Sequence, residues 1–409
     1  MNLGPEFRLL CLALRRPQSV DDGRQMRELA AEIGDWKLIV AGARRHRVAS
    51  LVLAGLRACH GLQLPANVLV ELQRLSLANV RRGLVQAAEI GRLCQTFADA
   101  RIPVLALKGE ALAVQLYGET GWRTARDIDL LVDPAQFGRA QAALIDAGYR
   151  QRPKGRSPRQ EAAYLRLIKE VEFRHEATDG LVELHHRLTA NPYLLPADFA
   201  ELWTQREEVR LGDRSFATLP RHRLSLYLCA HGADHAWARL QWLVDFASAI
   251  QQSQDIESVI EASDEAGLKP VLLHALALAH ELLGLVVEER WLAAHRHSAI
   301  GRRLDWLLAR QYAATDWHDA APKRALRYAF WERLYRLSLK PDWRYRATQV
   351  QQDWFCPSDW DSVPLPEALT WLYPFVRPWG WLLRRLPRLR QRGRTFNLQL
   401  SSRQRRQPE

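Results

Sequence analysis

Cysteine is scarce in this chain, with five residues among 409, and its spacing excludes two kinds of stabilised fold. The cysteines are scattered, odd in number and without a CxxC pair, so the sequence predicts neither a disulfide framework nor a cysteine zinc site. We expect reduced thiols in a cytoplasmic protein. The five are Cys11, Cys59, Cys94, Cys229 and Cys356.

Long apolar runs are missing as well. The first run, Leu9 to Leu14, is too short for a signal peptide and continues directly into two arginines. The longest apolar stretch, Val271 to Val287, includes His274, His280 and Glu281, which favours a buried amphipathic helix over a membrane span. A cytoplasmic location is therefore expected.

Excess positive charge is confined to the C-terminal end. The formal net charge is +12, but residues 371–409 contain ten arginines and one acid, a balance of +9. The remaining 370 residues carry 48 basic and 45 acidic groups, a balance of +3. A near-neutral body lacks the wide basic surface that follows a phosphate backbone, so there is no strong nucleic-acid signal.

Tryptophans accompany the basic tail, at Trp371, Trp379 and Trp381. Aromatic rings beside arginine suit an anionic membrane surface, and they suit RNA or an acidic partner protein equally well. The simplest alternative is a frayed basic end. The tail therefore adds peripheral membrane association, or binding of an acidic partner, to the expectation of a cytoplasmic protein.

Hydrophobic periodicity predicts an α+β fold with a small mixed-sheet core embedded between helical N- and C-terminal regions. The chain is expected to be helical again from about residue 197, and one helix is expected from Arg221 to Ile250. Asp179-Gly180, between two alternating runs, predicts a β-hairpin. The expected divisions are an N-terminal helical region (1–100), the α/β core (101–190), a helical domain (191–345) and a C-terminal segment with the basic tail (346–409).

Two acids mark the start of a strand in the core. Asp127 and Asp129 lie one residue apart at the head of an apolar run, and alternate residues of a strand share a face. Two carboxylates on one face have no evident packing role, but they suit a divalent metal. We therefore expect Asn at either position to abolish Mg²⁺-assisted ATP binding while the melting temperature stays near that of the wild type.

The motifs around this pair resemble the uncharacterised nucleotidyltransferase family of the polymerase-β-like superfamily. The resemblance rests on the turn Leu107-Lys108-Gly109, on Tyr117, on Arg123 and on the strand DIDLLV (127–132), and it extends from roughly residue 35 to 380. Glu110 after the turn and Arg126 before the first acid depart from the superfamily's pattern, while the acids themselves are intact.

The resemblance implies a metal site and a nucleotide site. Asp127 and Asp129 would hold the Mg²⁺ that carries a nucleoside triphosphate, and Glu183, the matching third acid, would help to hold a second ion and polarise the acceptor. Glu172 and Glu176, in the other run of the hairpin, compete with Glu183 for that role.

Phosphate contacts are assigned to the turn and to the loop after it. Gly109 lets backbone N–H groups approach a phosphate at a helix N-terminus, and Lys108 is placed to contact the β- or γ-phosphate. Arg123 is a second candidate. The alternatives are a solvated surface lysine and a surface salt bridge, respectively.

One face of the expected helix from Arg221 to Ile250 carries His231, His235 and Asp245. This face is a candidate substrate surface that closes over the nucleotide or acceptor, with Asp245 as a base or hydrogen-bond partner. The alternative is a buried polar network that fixes helix packing.

The expected reaction is transfer of a nucleoside monophosphate from a nucleoside triphosphate to an acceptor that the sequence does not identify. A small molecule, a saccharide, a peptide or a protein hydroxyl all fit, and the resemblance points to bacterial pathways. The alternative is a catalytically silent nucleotide-binding module with a regulatory or interaction role.

Overall fold

The computed structural model describes residues 3–152, 157–211, 214–253, 255–313, 325–355 and 359–379, apart from 361, 362, 364 and 378. The predicted α+β class is confirmed. Five helices precede the sheet: α1 (Pro5–Leu14), α2 (Val20–Glu32), α3 (Lys37–Arg45), α4 (Ala49–Ala58) and α5 (Ala66–Asp99).

Strands and helices then alternate. They are β1 (Val104–Ala106), α6 (Gly109–Tyr117), β2 (Ile128–Val132), α7 (Phe137–Asp146), β3 (Tyr149–Arg152), α8 (Pro158–Leu167), β4 (Glu170–His175), β5 (Leu181–His185), α9 (Phe199–Thr204), β6 (Glu207–Leu211) and β7 (Arg214–Thr218). Short 3-10 turns lie at Pro134–Gln136 and Glu367–Leu372.

Helices follow again. They are α10 (Arg221–Asp234), α11 (Leu240–Gln252), α12 (Ile256–Glu265), α13 (Lys269–Leu283), α14 (Glu289–His297), α15 (Ala299–Ala313), α16 (Ala325–Ser338) and α17 (Trp343–Trp354).

The strands form one mixed sheet of order β3-β4-β5-β2-β1-β7-β6 among the described residues. The β4–β5 hairpin is confirmed, with antiparallel pairing on either side of its turn. The expectation of helix alone from about residue 197 was wrong, because β6 and β7 form a second hairpin, which joins the sheet by parallel pairing of Ala106 with Thr218. These two strands are short and contain many charged residues, such as Glu207 and Glu208. They therefore show little of the alternation of apolar and polar residues that indicates a strand.

The two faces of the sheet differ in chemistry. Inward residues of β2, β4 and β5 form a core with α5 and α7, and this core includes Leu130, Phe173 and Leu184. On the opposite face, Leu131 contributes to the larger core of the helical regions. The second face of the sheet therefore packs against the helical regions.

The expected helix from Arg221 to Ile250 was wrong, because the chain turns between α10 and α11. Ala236 and Trp237 adopt left-handed backbone angles, with φ of 45° and 48°. Trp237 is 1% exposed, and its ring lies so close to Gly232 that a Cβ there would be 2.1 Å from it. Burial of this indole against a glycine thus coincides with the end of the helix, and helical periodicity cannot reveal it.

No helix in the described ranges is both long and apolar enough to cross a bilayer. Trp371 and Trp379 are exposed. Trp381 and the arginine-rich residues that follow it, on which the expected membrane or acidic partner depends, lie outside the described residues.

Candidate active site

Strand register brings acids from three strands to one face of the sheet. Asp129 on β2 is the partner of Glu183 on β5, and Glu170 on β4 is the partner of His185 on β5. Ligand atoms of these four residues all lie within 4.8 Å of one another. Of the acids expected at the site, the cluster therefore contains Asp129 and Glu183.

Asp129 lies between the side chains of Lys108 and His185. Its Oδ1 is 2.8 Å from Lys108 Nζ and 3.1 Å from His185 Nε2, and all three side chains are buried. Burial alone would raise the pKa of Asp129, but the Lys108 charge and the hydrogen bond from His185 hold it well below its usual range. Asp129 is therefore a permanent anion at the centre of the cluster.

Lys108 and His185 respond in the opposite direction. Burial disfavours the Lys108 charge, but the surrounding groups, led by Asp129 and including Glu183 and Glu170, together raise the lysine pKa well above its ordinary value. Burial would lower the pKa of His185. The charge of Glu170 and the hydrogen bond to Asp129 act in the opposite direction, and the pKa of His185 is raised. Lys108 was expected to contact phosphate, and in this structure its ammonium group contacts the acid cluster.

Glu183 carries a different charge state from Asp129. Burial raises the pKa of Glu183 to about 7, the hydrogen bond with His185 opposes the rise, and the negative charges of Asp129 and Glu170 add to it. The pKa of Glu170 is lowered to about 2, because nearby Lys169 and His185 outweigh the opposing effect of burial. The cluster thus combines two firm anions with one carboxyl group that titrates near neutrality.

Asp127 lies one residue before β2, is half-buried and is not among the four clustered residues. Its charge nevertheless contributes to the raised pKa of Glu183, which places it beside the cluster. Gly109, the first residue of α6, has a φ of 70°, and a Cβ on it would lie 3.5 Å from the Asp127 carbonyl oxygen. The Lys108-Gly109 turn and the helix N-terminus therefore adjoin both acids.

Arg123 lies in a buried ion pair. Its Nε donates to Asp245 Oδ2 at 2.8 Å, and the Tyr117 hydroxyl donates to Asp245 Oδ1 at 2.7 Å. Arg123 is 7% exposed and Asp245 is 1% exposed. Asp245 thus joins α11 to α6 and to the loop before β2, as in the packing alternative for Asp245. Arg123 forms a salt bridge, but the pair is buried and not at the surface as that alternative had it.

His231 and His235 contact the indole of Trp242 across the break between α10 and α11. The ring centroids of His235 and Trp242 are 4.7 Å apart and stacked, and His231 is 5.5 Å from Trp242 in an edge arrangement. Burial lowers the pKa of both histidines, to about 4 for His235, and the Lys108 charge lowers both further. The lowered pKa values keep both rings neutral at physiological pH.

Sequence reasoning missed Glu170 and His185 as members of the cluster. Both follow from the hairpin: once Asp179-Gly180 is the turn, cross-strand pairing opposes Glu170 to His185. His185 lies two residues after Glu183 on β5 and therefore shares its face of the strand. A second group with metal-ligand spacing, formed by His274, His295 and Asp305, links α13, α14 and α15 through two 2.9 Å contacts to the Asp305 carboxylate.

Comparison with known proteins agrees with this geometry. A family model described as uncharacterised nucleotidyltransferase matches residues 33–284, which include the whole sheet and helices α10 to α13. The chain belongs to this nucleotidyltransferase family. Neither a curated protein nor a solved structure gives a match. Membership makes the protein a transferase of nucleotidyl groups, and the acid cluster lies inside the matched region.

Proposed function

We propose that this nucleotidyltransferase moves a nucleoside monophosphate from a Mg²⁺-bound nucleoside triphosphate to a hydroxyl-bearing acceptor. The observation that carries the proposal is the group of ligand atoms within 4.8 Å on Asp129, Glu170, Glu183 and His185. It adjoins the Gly109 turn, at the N-terminus of α6, where backbone N–H groups favour an anion.

The donor set fits a hard divalent ion. Carboxylate oxygens are the ligands that Mg²⁺ prefers, and three converge here. Asp127, Asp129 and Glu183 are the proposed metal ligands, with Glu170 as an addition to the set that the sequence suggested. When bound, the metal neutralises polyphosphate charge and favours in-line displacement.

The protein's own groups have separate tasks in this proposal. Asp129 stays ionised throughout the physiological pH range because Lys108 and His185 hold its charge. Glu183, a half-buried carboxyl group of the cluster, is suited to accept the proton of the acceptor hydroxyl as that oxygen forms its bond to the α-phosphorus and pyrophosphate leaves. The helix α6 N-terminus is suited to hold the phosphates.

Tyr117, Arg123 and Asp245 then act as a scaffold. Their buried hydrogen bonds fix the loop that leads into β2, and this loop positions Asp127. We propose that the face of His231 and His235, whose rings pack on Trp242 at the break between α10 and α11, closes over the nucleotide or acceptor.

The test is incubation with each α-labelled nucleoside triphosphate and a cell extract, with Mg²⁺ or with chelator. Label on an acceptor, together with metal-dependent pyrophosphate release, supports the proposal. Asp127→Asn should lose both signals, and Glu161→Gln, outside the cluster, serves as control. Binding of Mg²⁺-nucleotide without pyrophosphate release, with every extract tried, would instead favour the catalytically silent regulatory module.

A further inference from the structure

Three separate chain segments meet beside Asp127. The turn after α3 is joined to the start of α11, since the backbone N–H of Leu240 donates to His46 Nδ1 at 3.1 Å and that of Gln241 donates to the His46 carbonyl at 3.3 Å. The start of α11 is joined in turn to the loop before β2, because Gln241 Nε2 donates to the Thr124 carbonyl at 3.2 Å.

Each of these segments carries an arginine, and the three are Arg47, Arg126 and Arg239. Burial lowers the pKa of Arg47 to about 10, and the charges of Arg239 and Arg126 lower it further. The pKa of Arg239 is lowered first by burial and then by Arg126, while Asp127 opposes the change. The hydrogen-bonded segments thus hold three like charges together next to one proposed metal ligand.

Ion pairing within the described residues does not relieve this crowding. Among the ion pairs formed there, none includes Arg47, Arg126 or Arg239, in contrast to neighbouring Arg123. Arg239 lies over the indole of Trp242, with its guanidinium carbon 5.2 Å from the ring centroid. Trp242 also stacks on His235, so the arginine surface continues into the aromatic face at the break between α10 and α11.

Backbone geometry points the same way. Arg47 has a φ of 59°, a left-handed conformation that is costly for a residue with a long side chain. Arg47 and Arg239 are half-buried, whereas charged side chains that form no ion pair are usually exposed to solvent. Guanidinium groups are the side chains best suited to bind phosphoryl oxygens, and a bound polyanion would relieve their mutual repulsion.

We propose that Arg47, Arg126 and Arg239 form a binding surface for phosphoryl groups at the edge of the catalytic site. Its position beside Asp127 rests on the proposed function. Two sources have this chemistry: the β- and γ-phosphates of the nucleoside triphosphate, or a phosphate group carried by the acceptor.

The experiment measures anion binding in chelator, so that its outcome does not depend on metal or on catalysis. Calorimetric titration of the full chain with inorganic tripolyphosphate should give binding that weakens about tenfold or more in Arg126→Gln, whose side chain is exposed. Arg57→Gln, at an exposed position of α4, should bind like the wild type. Arg47→Lys, which keeps the charge, and Arg239→Gln are the second and third variants. They allow the test to continue if one variant has a melting temperature below that of the wild type.

Competition distinguishes the two sources. If a non-hydrolysable triphosphate analogue with Mg²⁺ displaces tripolyphosphate or inorganic phosphate from the arginine surface, the nucleotide occupies it. If phosphate still binds after saturation with the analogue, and Arg126→Gln removes that second binding, the acceptor occupies it. No tripolyphosphate binding to the wild type, or equal binding by all variants, overturns the proposal. Because the direct tripolyphosphate titrations omit metal, their outcome stands even if Asp127→Asn shows that the proposed metal site is wrong.

Discussion

Asp129 and Asp127 should differ sharply in what they contribute to stability. The sequence suggested that Asn at either position would leave the melting temperature unchanged. The burial of Asp129 changes this expectation, because Asp129→Asn removes the carboxylate that lies 2.8 Å from the buried Lys108 ammonium group, whereas His185 keeps Glu170 at 3.1 Å. Asp127 is half-buried and forms no ion pair among the described residues, so Asp127→Asn should be close to neutral.

The magnitude follows from the contacts. Removal of one partner of a buried ion pair costs about 3–5 kcal/mol, since the remaining charge stays desolvated. For a large domain, where about 1 kcal/mol corresponds to roughly 2 °C, Asp129→Asn should lower the melting temperature by about 6–10 °C. Asp127→Asn should shift the melting temperature by about 1 °C, as a surface substitution does.

Calorimetry in chelator, with urea unfolding as a second measure, gives both values without metal. A double-mutant cycle sharpens the test: Lys108→Met combined with Asp129→Asn should be less destabilising than the sum of the single substitutions, because neither charge is then left alone. Additive effects, or an Asp129→Asn protein that melts with the wild type, would refute the account of this ion pair.

Three further outcomes are expected. Glu183→Gln should retain nucleotide binding but reduce turnover by about 10²-fold or more. If turnover is instead normal in Glu183→Gln and lost in Glu172→Gln, the third acid of the site lies on β4 and not on β5. Tyr117→Phe leaves one oxygen of Asp245 without its 2.7 Å hydrogen bond, and urea unfolding should report a loss of about 1–3 kcal/mol, whereas no loss would remove this network from the scaffold. Burial lowers the pKa of His235 to about 4 in the folded state, whereas the same group titrates near 6.5 in the unfolded chain. The unfolded chain therefore takes up the proton first as pH falls. The free energy of unfolding should decrease by about 3 kcal/mol between about pH 6.5 and pH 4. His235→Asn should remove that part of the pH dependence in a series of melts, and an unchanged slope would contradict the buried neutral ring.

The acid cluster illustrates what sequence can and cannot predict. Alternation along DIDLLV and the Asp-Gly turn of the hairpin are local signals, and they predicted the strand face of Asp129 and the β4–β5 pairing. The family resemblance, and not a local signal, pointed to Glu183. Glu170 was within reach of the same logic. The contact of Lys108 with Asp129 was not, since it depends on which way a long side chain turns after Gly109 lets the chain bend.

Longer-range packing decided the remaining differences. The end of α10 depends on Trp237 packing against Gly232, two residues whose contact no periodicity marks. The arginine surface is assembled by hydrogen bonds at His46 and Gln241, nearly 200 residues apart in sequence. Such sites come from tertiary contacts, so the charge pattern of any single segment does not indicate them.

The central claim is that the acid cluster binds a divalent ion together with a nucleoside triphosphate. Mn²⁺ electron paramagnetic resonance tests it most directly, with titration of a non-hydrolysable triphosphate analogue into wild type and Asp127→Asn protein. We expect tight Mn²⁺ binding to the wild type that strengthens with nucleotide. In Asp127→Asn we expect this Mn²⁺ binding to be lost while the melting temperature is unchanged. Equal Mn²⁺ and nucleotide binding by the two proteins would contradict the assignment of the site.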